Sequence, residues 1–333
     1  MTVRTRFDPW LWLIRVALPA WVAFASQVLA AEPVPTPSTD SPANPTPTDT
    51  TELLDSTRRS VRSTTEWLAR GVDSWFGDRP FEEGGKVTDG RLSVTWLQRQ
   101  DHGTDVDVRF NVHVRLPNAE KFAYLFIGRD DRRDVVTDTP DAFSRQQRLL
   151  RDRSESPSFV AGLGASLPNA IDLRIGFRGG IKPYAQARYS RSWTWDTGTL
   201  VDFRETVFWA RDERFGSTTA LSFEQPLSPT LALRWLNATT ITQKLPKFHW
   251  SSNLGAYRSF GDQRLLSLEV LVNGTQGSGV GVSDYGVQVK WEQPIYRDWL
   301  LVELLAGHFR PRPDAQSERG KAWAIGAALK MQF

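Results

Sequence analysis

Trp323-Ala324-Ile325-Gly326-Ala327-Ala328-Leu329-Lys330-Met331-Gln332-Phe333 closes the 333-residue chain. Counting back from Phe333, every second residue is apolar: Met331, Leu329, Ala327, Ile325, Trp323. The intervening positions are Gln332, Lys330, Ala328, Gly326 and Ala324, all polar or small. Side chains of a strand alternate between its two faces, so this segment offers one wholly apolar face and one small or polar face. An apolar outside and a polar inside describe a strand of a membrane β-barrel. A soluble β-sandwich can end on the same alternation, and the rest of the chain separates the two.

Composition narrows the choice. Hydrophobic residues make up 40% of the chain, and after the first thirty residues no window holds the roughly 18 consecutive apolar residues of a spanning helix. That test says nothing of a barrel, because only half of each transmembrane strand faces lipid. The formal charge is only +3, and Lys and Arg are interleaved with Asp and Glu instead of forming a basic block. Nucleic-acid binding has no support. The absence of Cys removes disulfides, zinc knuckles and thiol catalysis together. Fourteen Trp suit a protein with two membrane interfaces to line.

Residues Val16 to Ala31 are apolar, follow Arg4, Arg6 and Arg15, and end Val28-Leu29-Ala30-Ala31. This is the pattern of a cleaved secretory signal peptide over 1–31. Residues 32–50 are rich in Pro, Thr and Ser and read as an extended linker. Asp49 then offers an N-cap with Glu52 three residues on, ahead of Leu54, Val61, Leu68, Val72 and Trp75 at helical spacing. The expectation is one amphipathic helix over 51–76, carrying Arg58, Arg59, Arg62 and Arg70. Such a helix could lie on the inner leaflet, enter a barrel mouth as a plug, or pack on the domain, with the periplasmic mouth favoured.

From residue 90 to 333 alternating strands are separated by Gly, Pro, Asn and Asp. Val106, Val108, Phe110, Val112 and Val114 oppose Asp107, Arg109, Asn111, His113 and Arg115. The same split recurs at Ile171–Arg178 and at Tyr285–Glu292. About fourteen such segments fit, the first near 91–99 and the last near 320–333. If both ends of the barrel lie in the periplasm, the long connections 130–157, 273–283 and 310–320 all fall outside. Leu116-Pro117-Asn118-Ala119, Leu167-Pro168-Asn169-Ala170 and Gln225-Pro226-Leu227-Ser228-Pro229 fall inside. Short turns on one side and long loops on the other are what barrel topology requires. The tight turn at Gly179-Gly180 is the weakest joint, and twelve strands is the alternative count. The expected fold is therefore an all-β antiparallel transmembrane barrel preceded by one helix.

The inward face under this layout carries Arg109, Arg115, Arg174, Arg178, Arg188, Arg204, Arg234, Lys290, Glu292 and Lys330. Charges of both signs on an inward face either line water or pair across a narrow interior. A pore for small polar solutes with a weak anion preference is the first functional expectation. A closed barrel that binds partners through its loops or helix is the second. Arginines of the 130–157 loop could pair with phosphates of lipopolysaccharide. His102, His113 and His308 lack metal-site spacing, and Gly277-Ser278-Gly279-Val280-Gly281 opens no helix, so neither a metal nor a cofactor is expected.

The 323–333 stretch resembles the C-terminal assembly signal of Gram-negative outer-membrane barrels. The resemblance rests on Trp323, Ile325, Leu329, Met331 and Phe333, and it implies recognition by the barrel-assembly machinery during biogenesis. Taken whole, signal peptide, linker, helix and strands resemble outer-membrane β-barrel precursors of porin-like architecture. That resemblance implies export to the outer membrane and contact with its lipid and lipopolysaccharide, and carries no assigned activity. His249-Trp250-Ser251-Ser252-Asn253 is similar to the His-x-Ser arrangement of outer-membrane phospholipase A. The catalytic side chains of that family face lipid, whereas the alternation here turns His249 and Ser251 inward. The expectation is a protein that is not an enzyme.

Overall fold

In a computed structural model the chain forms a closed antiparallel barrel of fourteen strands, each hydrogen-bonded to its sequence neighbour and β1 to β14. The strands are β1 Lys86–Arg99, β2 Gly103–Arg115, β3 Ala123–Asp130, β4 Ser158–Leu167 and β5 Ile171–Arg178. They continue as β6 Lys182–Thr194, β7 Leu200–Ala210, β8 Arg214–Ser228, β9 Leu231–Thr242 and β10 His249–Ser259. The last four are β11 Leu265–Thr275, β12 Asp284–Tyr296, β13 Leu300–Phe309 and β14 Ala322–Gln332. The structure describes residues 86–333 apart from 116–122, 131–135, 139–157 and the turn positions 102, 180, 196–197, 262, 278 and 313. Ahead of the barrel it describes residues 52, 54–63 and 66. The signal peptide, the linker and residues 67–76 of the expected helix lie outside the described residues, as do the loop arginines read as lipopolysaccharide contacts.

The count of fourteen turns on β5 and β6, which are separate strands paired from Ile171↔Tyr189 to Arg178↔Lys182. Their hairpin is made by Gly179 at φ +49°, a left-handed conformation that costs glycine little and most residues more. At the other rim Asn169 and Ala170 both adopt positive φ, the two-residue geometry whose twist matches a hairpin. The first strand begins at Lys86, a few residues before the alternation becomes visible in the sequence, with an irregularity between Val87 and Asp89.

Alternation sorts the residues of every strand. Val106, Ile175, Val207, Leu268, Val289 and Trp323 are among the exposed outward residues. They form an apolar belt that water would not solvate and hydrocarbon does. Closure leaves no sheet edge with unpaired backbone groups, the condition for strands to cross a bilayer. The protein is thus a transmembrane barrel of the bacterial outer-membrane type. β1 begins and β14 ends at the same rim, which in such barrels is the periplasmic one.

The C-terminal stripe divides along its length. Trp323 (64% exposed) and Ile325 lie open on the outer wall, with His308 stacked on Trp323 at 4.5 Å between ring centroids. Met331 is buried, a departure from a stripe open to lipid over its whole length. It is covered because the first helix, α1 (helical residues within 52–66), packs Leu54 and Val61 against Trp299, Leu300 and Met331. Leu300 and Leu92 are the register partners of Met331, so α1 grips the outer wall at the seam between the first and last strands. Asp55 holds it there through Tyr296 Oη at 3.2 Å and Arg297, and Arg58 lies 5.2 Å from the Trp299 ring. The described part of the helix sits against the outer face at the rim where β1 begins and β14 ends, which corrects the plug expectation for these residues and matches a helix packed on the domain. Phe333 donates its N–H to Gly90 O at 2.9 Å and lays its ring over Gly90, where a Cβ would collide with it.

Candidate functional site

The inward faces of β3 to β7 join polar groups to an apolar cluster of Phe126, Val160, Tyr184, Phe208 and Ala210, in which Val136 of the β3–β4 connection also packs. Gly162 and Gly164 of β4 leave no Cβ, and the rings of Phe126 and Tyr124 fill that space. Tyr124 Oη donates to Asp172 at 2.8 Å and accepts from Arg174 Nε at 2.8 Å. Arg174 also reaches Asp172 at 3.0 Å. At the outer rim Arg178 is fully buried and paired with Glu213 of the β7–β8 turn, and Lys182 bonds Asp212 in the same turn at 3.1 Å. Arg178 is therefore a strut of the rim and presents no free charge to a solute.

The described piece of the long β3–β4 connection does not stay outside. Residues 136–138 form a short turn in which Val136, Thr137 and Asp138 are all buried. Gln186 Nε2 donates to Val136 O at 3.2 Å, and Thr206 Oγ1 donates to Asp138 Oδ2 at 2.9 Å. Arg188 pairs with Asp138, and Arg204 Nη1 lies 3.7 Å from its other oxygen. Asp138 adopts φ +52°, and its carboxylate meets inward residues of β6 and β7. The sequence reading treats 130–157 simply as an outer loop, and this is a correction. Val135-Val136 inside an otherwise charged stretch is the signal that part of the loop is covered.

Across the barrel the charges satisfy one another between adjacent strands. Glu269 is fully buried, bonded by Gln288 and 3.1 Å from Lys290 Nζ. Lys330 joins Glu292 and, at 2.6 Å, Glu303. Beside this group, inward residues including Thr95, Leu305 and Ala328 line a cavity of about 100 Å³. Arg109 contacts Asp107 on its own strand, and Arg115 is exposed at the periplasmic end of β2. On β9, Arg234 donates to Ser222 Oγ at 3.2 Å and stands 3.9 Å from Glu224.

These placements divide the expected lining residues by availability. Arg178, Lys290 and Lys330 are consumed in close pairs. The side chains of Arg204 and Arg234 remain 36% and 32% exposed, in pairs loosened to 3.7 and 3.9 Å. Among the expected lining cations with a carboxylate partner, these two stand farthest from their nearest carboxylate. Ser251 and Asn253 are buried on the inner wall, and His249 Nδ1 lies 3.0 Å from Thr275 Oγ1. The three sit on the face opposite to lipid.

No family model matches the sequence, and no curated protein does. Among solved structures the chain is similar to OprB of Pseudomonas putida, with a TM-score of 0.47 and 9% identity over 76% of this chain and 95% of that one. It is similar to the outer-membrane channel DcaP of Acinetobacter baumannii at a TM-score of 0.43 and 7% identity, covering 76% and 98%. The outer-membrane protein OmpT of Vibrio cholerae gives 0.41 and 11%, covering 75% and 98%.

Proposed function

We propose that the barrel is a passive pore for small polar solutes in the outer membrane, with a weak preference for anions and no catalytic role. The observation that carries this is the 136–138 turn, folded against the inner wall and fastened by Arg188, Arg204 and Thr206. A loop segment inside a barrel narrows the passage at one level and brings charge to that level. A barrel of fourteen strands is wide enough to need such narrowing. Arg204 at this level and Arg234 beyond it give a solute two accessible cations. In this reading lipid and lipopolysaccharide are the surroundings of the apolar belt, and the assembly machinery reads the strand that ends at Phe333.

Planar-bilayer recording of the refolded full chain tests the reading. Stepwise ion currents are expected, with a reversal potential displaced toward anions in a salt gradient. Arg204→Ala/Arg234→Ala should move that potential toward the cation side without loss of current. An intact barrel that passes no current would remove the pore and leave a closed, partner-binding barrel.

A further inference from the structure

The outward wall is not apolar everywhere. On β7 to β10 the residues that face out near mid-strand include Glu205, Ser217, Thr219, Asn237, Thr239 and Ser252, set among Phe203, Leu221 and Trp250. Glu205 pairs in register with Thr219, and Thr219 in turn with Thr239; Asn237 pairs with Ser252. Thr219 Oγ1 donates to Glu205 at 2.6 Å, and Ser217 donates to its other oxygen. Ser252 donates to Asn237 Oδ1 at 2.8 Å and accepts from Trp235 Nε1 at 3.0 Å. Among the described residues no Lys or Arg is recorded with Glu205. At the same positions β11 to β14 present Leu268, Val270, Val287, Val289, Leu304 and Ile325, all exposed.

Trp209 and Phe215 stand toward the outer end of this patch and Phe223 and Trp235 toward the periplasmic end. Aromatic side chains of that kind mark the two interfaces of a membrane, so the polar patch lies at the level of hydrocarbon. A carboxylate there without a cation is costly, and neither lipid tails nor headgroups at that depth can bond it. Another protein wall at the same depth can.

We infer that the β7–β10 wall is the contact between two copies of this chain, packed side by side in the membrane about a two-fold axis along its normal. A second copy is inserted at the same depth and in the same direction, which an unrelated partner need not be. A two-fold contact requires donors and acceptors on one patch. This patch has both: the Glu205 carboxylate as acceptor, and the Asn237 amide with the Thr239 hydroxyl as donors. Around them the exposed Val207, Phe215, Trp235 and Leu254 supply an apolar rim that keeps lipid out of the hydrogen-bonded centre. Interhelical polar contacts in membranes are worth only a modest amount each, and six residues on four strands act together here.

The chain contains no Cys, so single cysteines report the contact directly. Thr239→Cys, expressed as the full chain in outer membranes and treated with copper phenanthroline, is expected to give a reducible species of twice the chain mass. Val289→Cys on β12, outside the patch, should remain a monomer under the same oxidation. Adding Glu205→Leu to Thr239→Cys should cut the cross-linked fraction severalfold, with heat-modifiable mobility on gels confirming that the barrel is folded. If Thr239→Cys and Ser252→Cys in folded barrels cross-link no more than Val289→Cys, the inference is overturned. An adduct of any other mass overturns it as well, in favour of a different protein on this wall.

Discussion

The inner wall of β11 to β14 and that of β5 to β7 hold similar numbers of charges and settle them differently. In the first, neighbouring strands supply both signs: Lys290 meets Glu269, and Lys330 meets Glu292 and Glu303. Nothing beyond the sheet itself is needed. In the second, Arg188 and Arg204 face a carboxylate that arrives from another part of the chain, Asp138, on a loop segment entered some fifty to seventy residues earlier. One wall is electrostatically complete as a sheet, and the other is completed by a loop. Charge locked between strands contributes to holding the barrel, whereas charge that waits on a loop can be presented to a solute when the loop shifts.

The largest effect should come from the self-contained wall. Lys330→Met removes the only cation recorded between Glu292 and Glu303 among the described residues and leaves two carboxylates side by side. Removing one partner of such a part-buried group costs about 3 kcal/mol. Urea unfolding of the refolded barrel, followed by Trp fluorescence, should show that loss. The reversal potential in bilayers should stay where it was, because Lys330 is committed to its neighbours. A stable barrel with altered selectivity would mean that this wall, too, faces the solute, and the contrast would fail.

The loop-completed wall should respond the other way. Asp138→Asn keeps the shape of the side chain and removes its charge, leaving Arg188 and Arg204 without their carboxylate. The cost in stability should be smaller, roughly 2 kcal/mol, since Arg204 is already partly open to water. Selectivity should change more than for any sheet residue, shifting further toward anions, with a larger unit conductance as the 136–138 turn loosens. A conductance equal to that of the unaltered protein would detach the loop from the passage.

Much of the architecture was legible because it follows from a period of two and from turn chemistry. Val106 through Val114, and Trp323 through Phe333, alternate without interruption, and Gly179 and Asn169 mark hairpins by their tolerance of positive φ. Parity also puts Arg174, Arg178 and Arg204 on a common face. It cannot tell that Arg178 is sealed by Glu213 while Arg204 stays half open, since their partners lie in a turn and a loop with no periodic relation to either strand. The outer site of α1 was hidden for a similar reason. Leu54 and Val61 have helical spacing, but which apolar surface they meet is decided by Trp299, Leu300 and Met331, some 240 residues on. Glu205 is not singled out by the sequence reading, although Phe203 and Val207 flank it on one face of β7. Its hydroxyl partners come from β8, and only the register makes them neighbours.

The smallest effect refines the comparison by separating the loop's position from its charge. Thr206 Oγ1 donates to Asp138 Oδ2 at 2.9 Å from a fully buried site, and Thr206→Val removes that bond without touching any ion pair. A single hydrogen bond of this kind is worth about 1 kcal/mol. Arg188 and Arg204 keep their carboxylate, so the reversal potential should stay near that of the unaltered barrel. The unit conductance should rise to a level between it and that of Asp138→Asn. If selectivity instead follows conductance in Thr206→Val, the loop's position alone sets the charge that a solute meets. If neither changes, the contacts of Arg188, Arg204 and Gln186 and the packing of Val136 are sufficient to hold the turn without Thr206.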